Sequence, residues 1–142
     1  MSVKIGVPKE IKVLENRVGL TTESVREVVA HGHEVIVEHN AGQGIGMDDA
    51  AYVKAGAKVV GAAADVFAAA EMIVKVKEPQ AAERAMLRPG QLLFTYLHLA
   101  PDPEQARDLV QSEAVCIAYE TVTSPAGGLP LLAPMSEVAG RM

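Results

Sequence analysis

The stretch MIVKVKEPQAAERAMLRPGQLLFTY, residues 72–96, contains a complete strand–helix–strand pattern. Met72–Val76 and Leu92–Tyr96 are short, largely apolar runs that are typical of buried strands. Between them, Gln80–Leu87 predicts a helix that ends before Pro89-Gly90. Apolar strands that alternate with helices pair in parallel, because the helices then cover both faces of the sheet. The stretch therefore predicts two strands of a parallel sheet.

The same alternation extends to both sides of this stretch. Further strands are predicted at Val3–Val7, Glu34–Glu38, Lys58–Val60 and Ala114–Tyr119. Further helices are predicted from Thr21 or Thr22 to Gly32, at Met47–Ala55, at Ala62–Ala70, and from Asp102 with Ala106, Leu109 and Val110 facing inward. The predicted fold class is α/β: a doubly wound, mainly parallel sheet with helices on both faces, Rossmann-like or flavodoxin-like, without a dinucleotide fingerprint.

Composition restricts the class of protein. A chain of 142 residues has room for one domain, and 49% hydrophobic with 22% charged residues is ordinary for a globular fold. The longest apolar stretch, 59–74, is interrupted by Asp65 and Glu71, so no membrane span is expected. A net charge of −5, no Trp and few other aromatic residues argue against nucleic-acid binding. The single cysteine, Cys116, lies in an apolar run and favours a cytoplasmic location.

A glycine-rich turn follows the strand at Glu34–Glu38. Gly42, Gly44 and Gly46 do not match the G-x-G-x-x-G spacing of a dinucleotide-binding loop. Asp48-Asp49 stands at the next helix start, where a pyrophosphate requires positive potential. We therefore interpret the segment as a turn. Separately, we expect no metal site in this chain.

Three side chains that can carry positive charge follow predicted strands. Arg17 lies in the loop after the first strand, Lys77 ends MIVKVK, and His98 follows LLFTY. Ligands of doubly wound sheets bind at the carboxyl ends of the strands, so these groups predict a site for a small carboxylate. Structural roles remain open for each: Arg17 in an ion pair with Glu15, Lys75 in place of Lys77 as the ordered lysine, and His98 as a packed side chain.

The last residues predict the start of another helix. Ser136 suits the N-cap and Glu137 the first turn, but only two turns fit before Met142. A helix that short is unstable alone. We expect that the natural protein continues and that this chain is its first part.

Several motifs together carry a family resemblance. They are VKIGVPKE (3–10), ENRVGLT (15–21), VKVKEP (74–79), FTYLHLA (94–100), IAYETV (117–122) and LPLLAPMSEVAGRM (129–142). Over essentially its whole length, the chain resembles the N-terminal part of bacterial alanine dehydrogenases. Proton-translocating transhydrogenases share the IGVP and NRV elements but lack YLHLA and KVKEP in this form.

The resemblance implies a reaction and a set of functional residues. The reaction is the reversible oxidative deamination of L-alanine to pyruvate and ammonium with NAD, by a cytoplasmic homo-oligomer, a hexamer in this family. By resemblance, His98 is the general acid/base, and Arg17, Lys77, Tyr96 and Met135 bind the substrate. Ser136 matches a position that touches the cofactor.

The resemblance also implies a domain organisation. Residues 1–142 form the N-terminal substrate domain, with 135–142 as the start of an interdomain helix. The NAD-binding Rossmann domain would lie outside this chain, so we expect no turnover by the chain alone. Two other interpretations stay open: the first domain of a transhydrogenase alpha subunit, and a non-catalytic module that binds an oxo-acid.

Overall fold

Six parallel strands form one sheet in the computed structural model, which describes residues 1–142. The strands are β1 (Lys4–Val7), β2 (Glu34–Glu38), β3 (Lys58–Val60), β4 (Met72–Val74), β5 (Leu92–Thr95) and β6 (Val115–Ala118). Their spatial order is β3-β2-β1-β4-β5-β6, and every neighbouring pair is parallel. This is the strand order of the doubly wound Rossmann sheet, and it confirms the predicted fold class.

Six helices connect and follow the strands. They are α1 (Thr22–Ala30), α2 (Asp49–Ala55), α3 (Ala63–Ala69), α4 (Ala81–Arg84), α5 (Pro103–Ser112) and α6 (Ala133–Gly140), and short 3₁₀ turns lie at Gln43–Ile45 and Tyr119–Thr121. The side chains of Thr21, Asp48 and Asp102 each accept an amide hydrogen bond at a helix start, as N-caps do. None of these helices has the length and apolar character that a bilayer crossing requires.

The hydrophobic core consists of two layers, one on each face of the sheet. Val35 and Val37 of β2 pack with Val25 of α1 on one face, whereas Ile36 packs with Phe67 of α3 on the other. Successive residues of a strand point to opposite faces, so a continuously apolar strand supplies both layers. Helices α1 and α2 cover the first face, and α3 and α5 cover the second.

Helix α5 shows one prediction to be wrong. Leu109 is buried, as expected, but Val110 is 78% exposed. The third inward position is instead Gln105, which is fully buried and lies four residues before Leu109 on the same helical face. Its amide nitrogen (Nε2) donates to the Leu97 carbonyl at 2.9 Å, which explains how a polar side chain is accommodated there.

Helix α6 begins earlier than expected. The helix starts at Ala133, with Pro134 in its first turn, a position that suits the fixed φ and missing N–H of proline. Ser136 is therefore inside the helix and not its N-cap, and its hydroxyl donates to the Leu132 carbonyl at 3.4 Å. No residue of α6 is buried.

The connection between β1 and α1 crosses the end of β4. Gly19 lies in this connection, and a Cβ atom added there would be 2.4 Å from the Val74 carbonyl oxygen. Any side chain at this position would collide with main chain, so glycine permits the close approach. The contact places the loop that carries Arg17 over the β1–β4 boundary, where the winding of the sheet reverses.

Candidate active site

Strands β4 and β5 are parallel neighbours, so the residues that follow them meet at one edge of the sheet. Lys77 follows β4, and its Nζ lies 4.6 Å from the centre of the Tyr96 ring, within cation–π range. Tyr96 follows β5, and its ring stacks on that of His98 at a centroid distance of 5.6 Å and an angle of 14°. The ammonium and the imidazole are therefore both in contact with the Tyr96 ring.

Arg17 and Met135 approach the same edge from two other elements. Arg17 extends from the β1–α1 connection, and its Nη1 lies 4.0 Å from the Met135 sulfur on α6. The Tyr119 hydroxyl, directly after β6, lies 3.9 Å from the same sulfur. Met135 therefore joins the arginine to the aromatic side chains of the site.

These side chains enclose a cleft of about 260 Å³, here called the crest cleft. It is lined by Arg17, Lys77, Tyr96, Tyr119, Leu132, Met135, Ser136 and Ala139. Five of the six site residues singled out by sequence are in this set. The sixth, His98, is exposed and adjoins the cleft through its stack on Tyr96. The structure thus brings all six together, and their roles remain predictions.

Arg17 forms the ion pair with Glu15 that the sequence left open. Arg17 Nε and Nη2 donate to the two Glu15 carboxylate oxygens at 2.9 and 2.6 Å. This pairing lowers the pKa of the Glu15 carboxyl below its ordinary value. A guanidinium has five N–H donors, and the three that Glu15 does not use are one on Nη2 and two on Nη1, which has only the Met135 sulfur, a weak acceptor, beside it. The ion pair and a ligand-binding role are therefore compatible.

Lys75 and Lys77 have different environments. Lys75 is buried, and its Nζ lies 2.7 Å from Glu10 Oε2 and 2.9 Å from Glu83 Oε2. Burial raises the pKa of the Glu83 carboxyl despite the nearby ammonium. Lys77 is only half-buried and faces the crest cleft. Lys75 is thus an internal charge, and Lys77 is the lysine that a ligand can reach.

Tyr119 is a cleft residue that the sequence reasoning missed. Its hydroxyl donates to the Val76 carbonyl at 2.7 Å, one residue before Lys77. Burial raises the pKa of Tyr119 to about 12, so the hydroxyl stays protonated and keeps donating. The signal was available, because Tyr119 follows the edge strand β6 just as Lys77 and Tyr96 follow β4 and β5.

The glycine turn does not fit a dinucleotide. Gln43–Ile45 form a 3₁₀ turn, and the following helix α2 has its first turn occupied by carboxylates. Asp48 accepts the Ala51 amide, and Asp49 accepts the Asn40 amide, so these N–H groups are already bonded. No cluster of three or more His, Cys, Asp or Glu side chains is arranged to hold a metal ion. The start of α2 therefore offers a pyrophosphate neither positive potential nor free amides at these two positions.

The strand order and the cationic crest cleft define a Rossmann-type α/β domain with a candidate site for a small anion at the carboxyl edge of its sheet. A family model described as "Alanine dehydrogenase/PNT, N-terminal domain" matches residues 6–139. The chain belongs to this family.

Curated relatives and solved structures agree with this assignment. The chain is 57% identical over 140 residues to an alanine dehydrogenase of Halomonas elongata, covering 99% of this chain and 38% of that protein. It is 52% identical over 138 residues to an alanine dehydrogenase of Methanococcus maripaludis, covering 97% of this chain and 37% of that protein. The chain therefore spans less than two fifths of the length of these relatives.

Two solved structures allow the chain to be compared with an alanine dehydrogenase and with a transhydrogenase. An L-alanine dehydrogenase superimposes with a TM-score of 0.93 at 54% identity, covering 97% of this chain and 38% of that one. A transhydrogenase from Sinorhizobium meliloti gives a TM-score of 0.77 at 32% identity, covering 82% of this chain and 35% of that one. The similarity is greater to the dehydrogenase in both fold and sequence, which favours that branch.

Proposed function

We propose that this chain is the substrate-binding domain of an NAD-dependent alanine dehydrogenase, which interconverts L-alanine, NAD and water with pyruvate, ammonium, NADH and a proton. The observation that carries the proposal is the crest cleft, which a guanidinium and an ammonium line and which an imidazole adjoins through its stack on Tyr96. Its volume of about 260 Å³ leaves room for a three-carbon acid. The similarity to alanine dehydrogenases supports the same substrate.

Arg17 and Lys77 bind the substrate in this proposal. Glu15 holds the Nε side of the guanidinium, and one N–H of Nη1 with the remaining N–H of Nη2 then meets the substrate carboxylate. Lys77 adds a point charge close to the carboxylate or carbonyl oxygen. Its contact with the Tyr96 ring keeps the ammonium near the cleft while leaving its protons free for the substrate.

His98 exchanges protons in this proposal. The amine of alanine must lose a proton before oxidation, and a water molecule must later add to the imine and release ammonium. An imidazole accepts and donates protons near neutral pH, and the exposure of His98 lets them pass on to solvent. Met135 and Tyr96 shape the apolar side of the cleft against the substrate methyl group.

NAD is the oxidant in the proposed reaction, and most of its contacts must come from outside residues 1–142, because the glycine turn does not fit its pyrophosphate. Ser136, on α6 and at the cleft, is proposed to contact the cofactor. Residues 135–142, within and just beyond α6, are proposed to begin an interdomain helix. We also propose that the complete enzyme is a cytoplasmic homo-oligomer, a hexamer as the family resemblance implies.

A hybrid enzyme tests the proposed function. In it, this chain replaces the matching 140-residue stretch of the Halomonas elongata alanine dehydrogenase. The hybrid enzyme should reduce NAD in the presence of L-alanine, whereas the 142-residue chain alone should not. A folded hybrid enzyme that binds NAD but neither oxidises alanine nor aminates pyruvate would contradict the proposal.

The variant Arg17→Lys should lose mainly substrate affinity in the hybrid enzyme. Lysine keeps the charge but not the paired N–H donors, and one charge-assisted hydrogen bond contributes about 1.5–3 kcal/mol. The KM for alanine should rise roughly 10- to 100-fold, and the KM for NAD should change little. Steady-state kinetics with each substrate varied in turn measures both values.

The matched control is Arg26→Lys, the same substitution at an exposed position on α1. It should leave both KM values unchanged. Equal increases in the KM for alanine and the KM for NAD in Arg17→Lys would show that Arg17 does not bind the substrate carboxylate.

A further inference from the structure

We propose that Glu120 is a positioning residue for His98: its carboxylate holds the main chain of the loop that presents the imidazole to the crest cleft. The proposal rests on the proposed acid/base role of His98. It concerns a residue that lies outside the crest cleft and that the sequence reasoning did not assign.

The loop after β5 has an unusual main-chain conformation at His98. His98 has φ 47°, in the left-handed region that residues other than glycine adopt infrequently. Its side chain is exposed and stacks on Tyr96. Because the side chain is fixed by little else, its direction depends on how the main chain is held.

Glu120 accepts hydrogen bonds from the main chain of this loop. It lies in the 3₁₀ turn directly after β6, the strand that neighbours β5. Its Oε1 accepts the amides of Leu97 and His98 at 3.0 and 2.9 Å, and its Oε2 lies 3.3 Å from the Leu97 amide. Two successive amides thus converge on one ionisable carboxyl group, and hydrogen bonds to a carboxylate are roughly twice as strong as neutral ones.

Gln105 of α5 donates a hydrogen bond to the main chain of the same loop. Its side-chain nitrogen donates to the Leu97 carbonyl at 2.9 Å, and both Gln105 and Leu97 are buried. The peptide group that joins Leu97 to His98 is therefore bonded from two directions, by Glu120 in the turn after β6 and by Gln105 of α5. Both contacts stabilise the left-handed conformation of His98, but only Glu120 accepts the two successive amides of Leu97 and His98.

Loss of Glu120 should affect the proton-transfer steps more than substrate binding. Without the carboxylate, the amides of Leu97 and His98 lose their acceptor and the imidazole is no longer held in its stack on Tyr96. Arg17 and Lys77 make no hydrogen bond to Glu120, so the substrate contacts remain. A misplacement of about 1 Å in a catalytic group can cost roughly 10²-fold in rate.

The test compares three variants of the hybrid enzyme. Glu120→Ala should lower kcat for alanine oxidation about 10²-fold, with the KM for alanine changed by less than about threefold. Glu120→Gln should recover most of kcat, because its side-chain oxygen can accept the same amides. The control Asp48→Ala removes another carboxylate that accepts a main-chain amide, at the start of α2, and should leave kcat unchanged.

The outcomes separate this proposal from the proposed function. If His98→Ala removes activity but Glu120→Ala does not, the positioning role is overturned and the proposed function stands. If His98→Ala itself keeps full activity, the proposed acid/base role fails and this proposal fails with it. Failure of both Glu120 variants to fold, or a kcat of Glu120→Gln as low as that of Glu120→Ala, would also overturn the positioning role. So would an equal loss of kcat in Asp48→Ala.

Discussion

In the hybrid enzyme, His98→Ala should lower kcat for alanine oxidation by roughly 10²–10⁴-fold, the usual contribution of a positioned acid or base. His98 is the only imidazole at the crest cleft, and it touches the cleft through the ring of Tyr96. Folding should survive, because the His98 side chain is exposed and adds little to the core. Turnover measured at saturating alanine and NAD gives the effect on kcat directly.

A second variant separates chemistry from main-chain conformation. Alanine fits the left-handed region poorly, whereas asparagine adopts it more readily and has no acid/base function near neutral pH. His98→Asn should therefore lose as much kcat as His98→Ala. Near-normal turnover in His98→Asn would show that the conformation of the loop, and not proton transfer by the imidazole, is what the position contributes.

Replacing Lys75 with methionine should destabilise the 142-residue chain by about 3–5 kcal/mol, since it removes the cation from two buried carboxyl groups. Glu10 and Glu83 both lie within hydrogen-bond distance of the Lys75 ammonium, and all three side chains are almost completely inaccessible to solvent. Urea unfolding at pH 8 measures the change. The control Lys77→Met, two residues further along, removes a half-exposed ammonium and should cost less than about 1 kcal/mol.

The destabilisation of Lys75→Met should become smaller as the pH falls. Burial already raises the pKa of the Glu83 carboxyl, and loss of the ammonium that opposes this effect raises that pKa further above its unfolded value. A carboxyl group whose pKa is higher in the folded than in the unfolded variant does not lower the stability of the variant while the pH is below the unfolded pKa. It lowers that stability progressively as the pH rises through the folded pKa. The difference from the unsubstituted chain should therefore be smaller at pH 5 than at pH 8. A difference that does not change over this range would show that Glu83 stays ionised, or accessible to water, in the variant.

The sequence predicts the parts of this fold that depend on local chemistry. The apolar run at Glu34–Glu38 and the caps at Thr21 and Asp102 are in the structure where they were expected. The first turn of α6 was misplaced, because Ser136 looked like a cap while Pro134 already suits a helix start. Val110 was placed inside for its apolar character, but the buried position is Gln105, whose partner is a distant carbonyl.

The residues of the candidate site could be predicted from the sequence in part. Arg17, Lys77 and His98 could be picked out because each follows a strand and parallel strands end at a common edge. The contacts that hold these groups could not be predicted, since they join residues far apart in the chain. Glu120 lies 22 residues from His98, and nothing in the residues around Glu120 indicates which amides it accepts. Glu15 was within reach of sequence reasoning because it is two residues from Arg17.

The close contact at Gly19 has a consequence for the size of substrate that the proposed site can take. Gly19 is two residues from Arg17, and the Val74 carbonyl that it touches is three residues from Lys77. This main-chain contact thus fixes the relative position of the two segments that carry the cations, and a substitution at Gly19 would disturb both segments at once. Engineering toward longer 2-oxo acids should leave this contact unchanged and start from Met135 and Leu132, apolar side chains that also line the cleft.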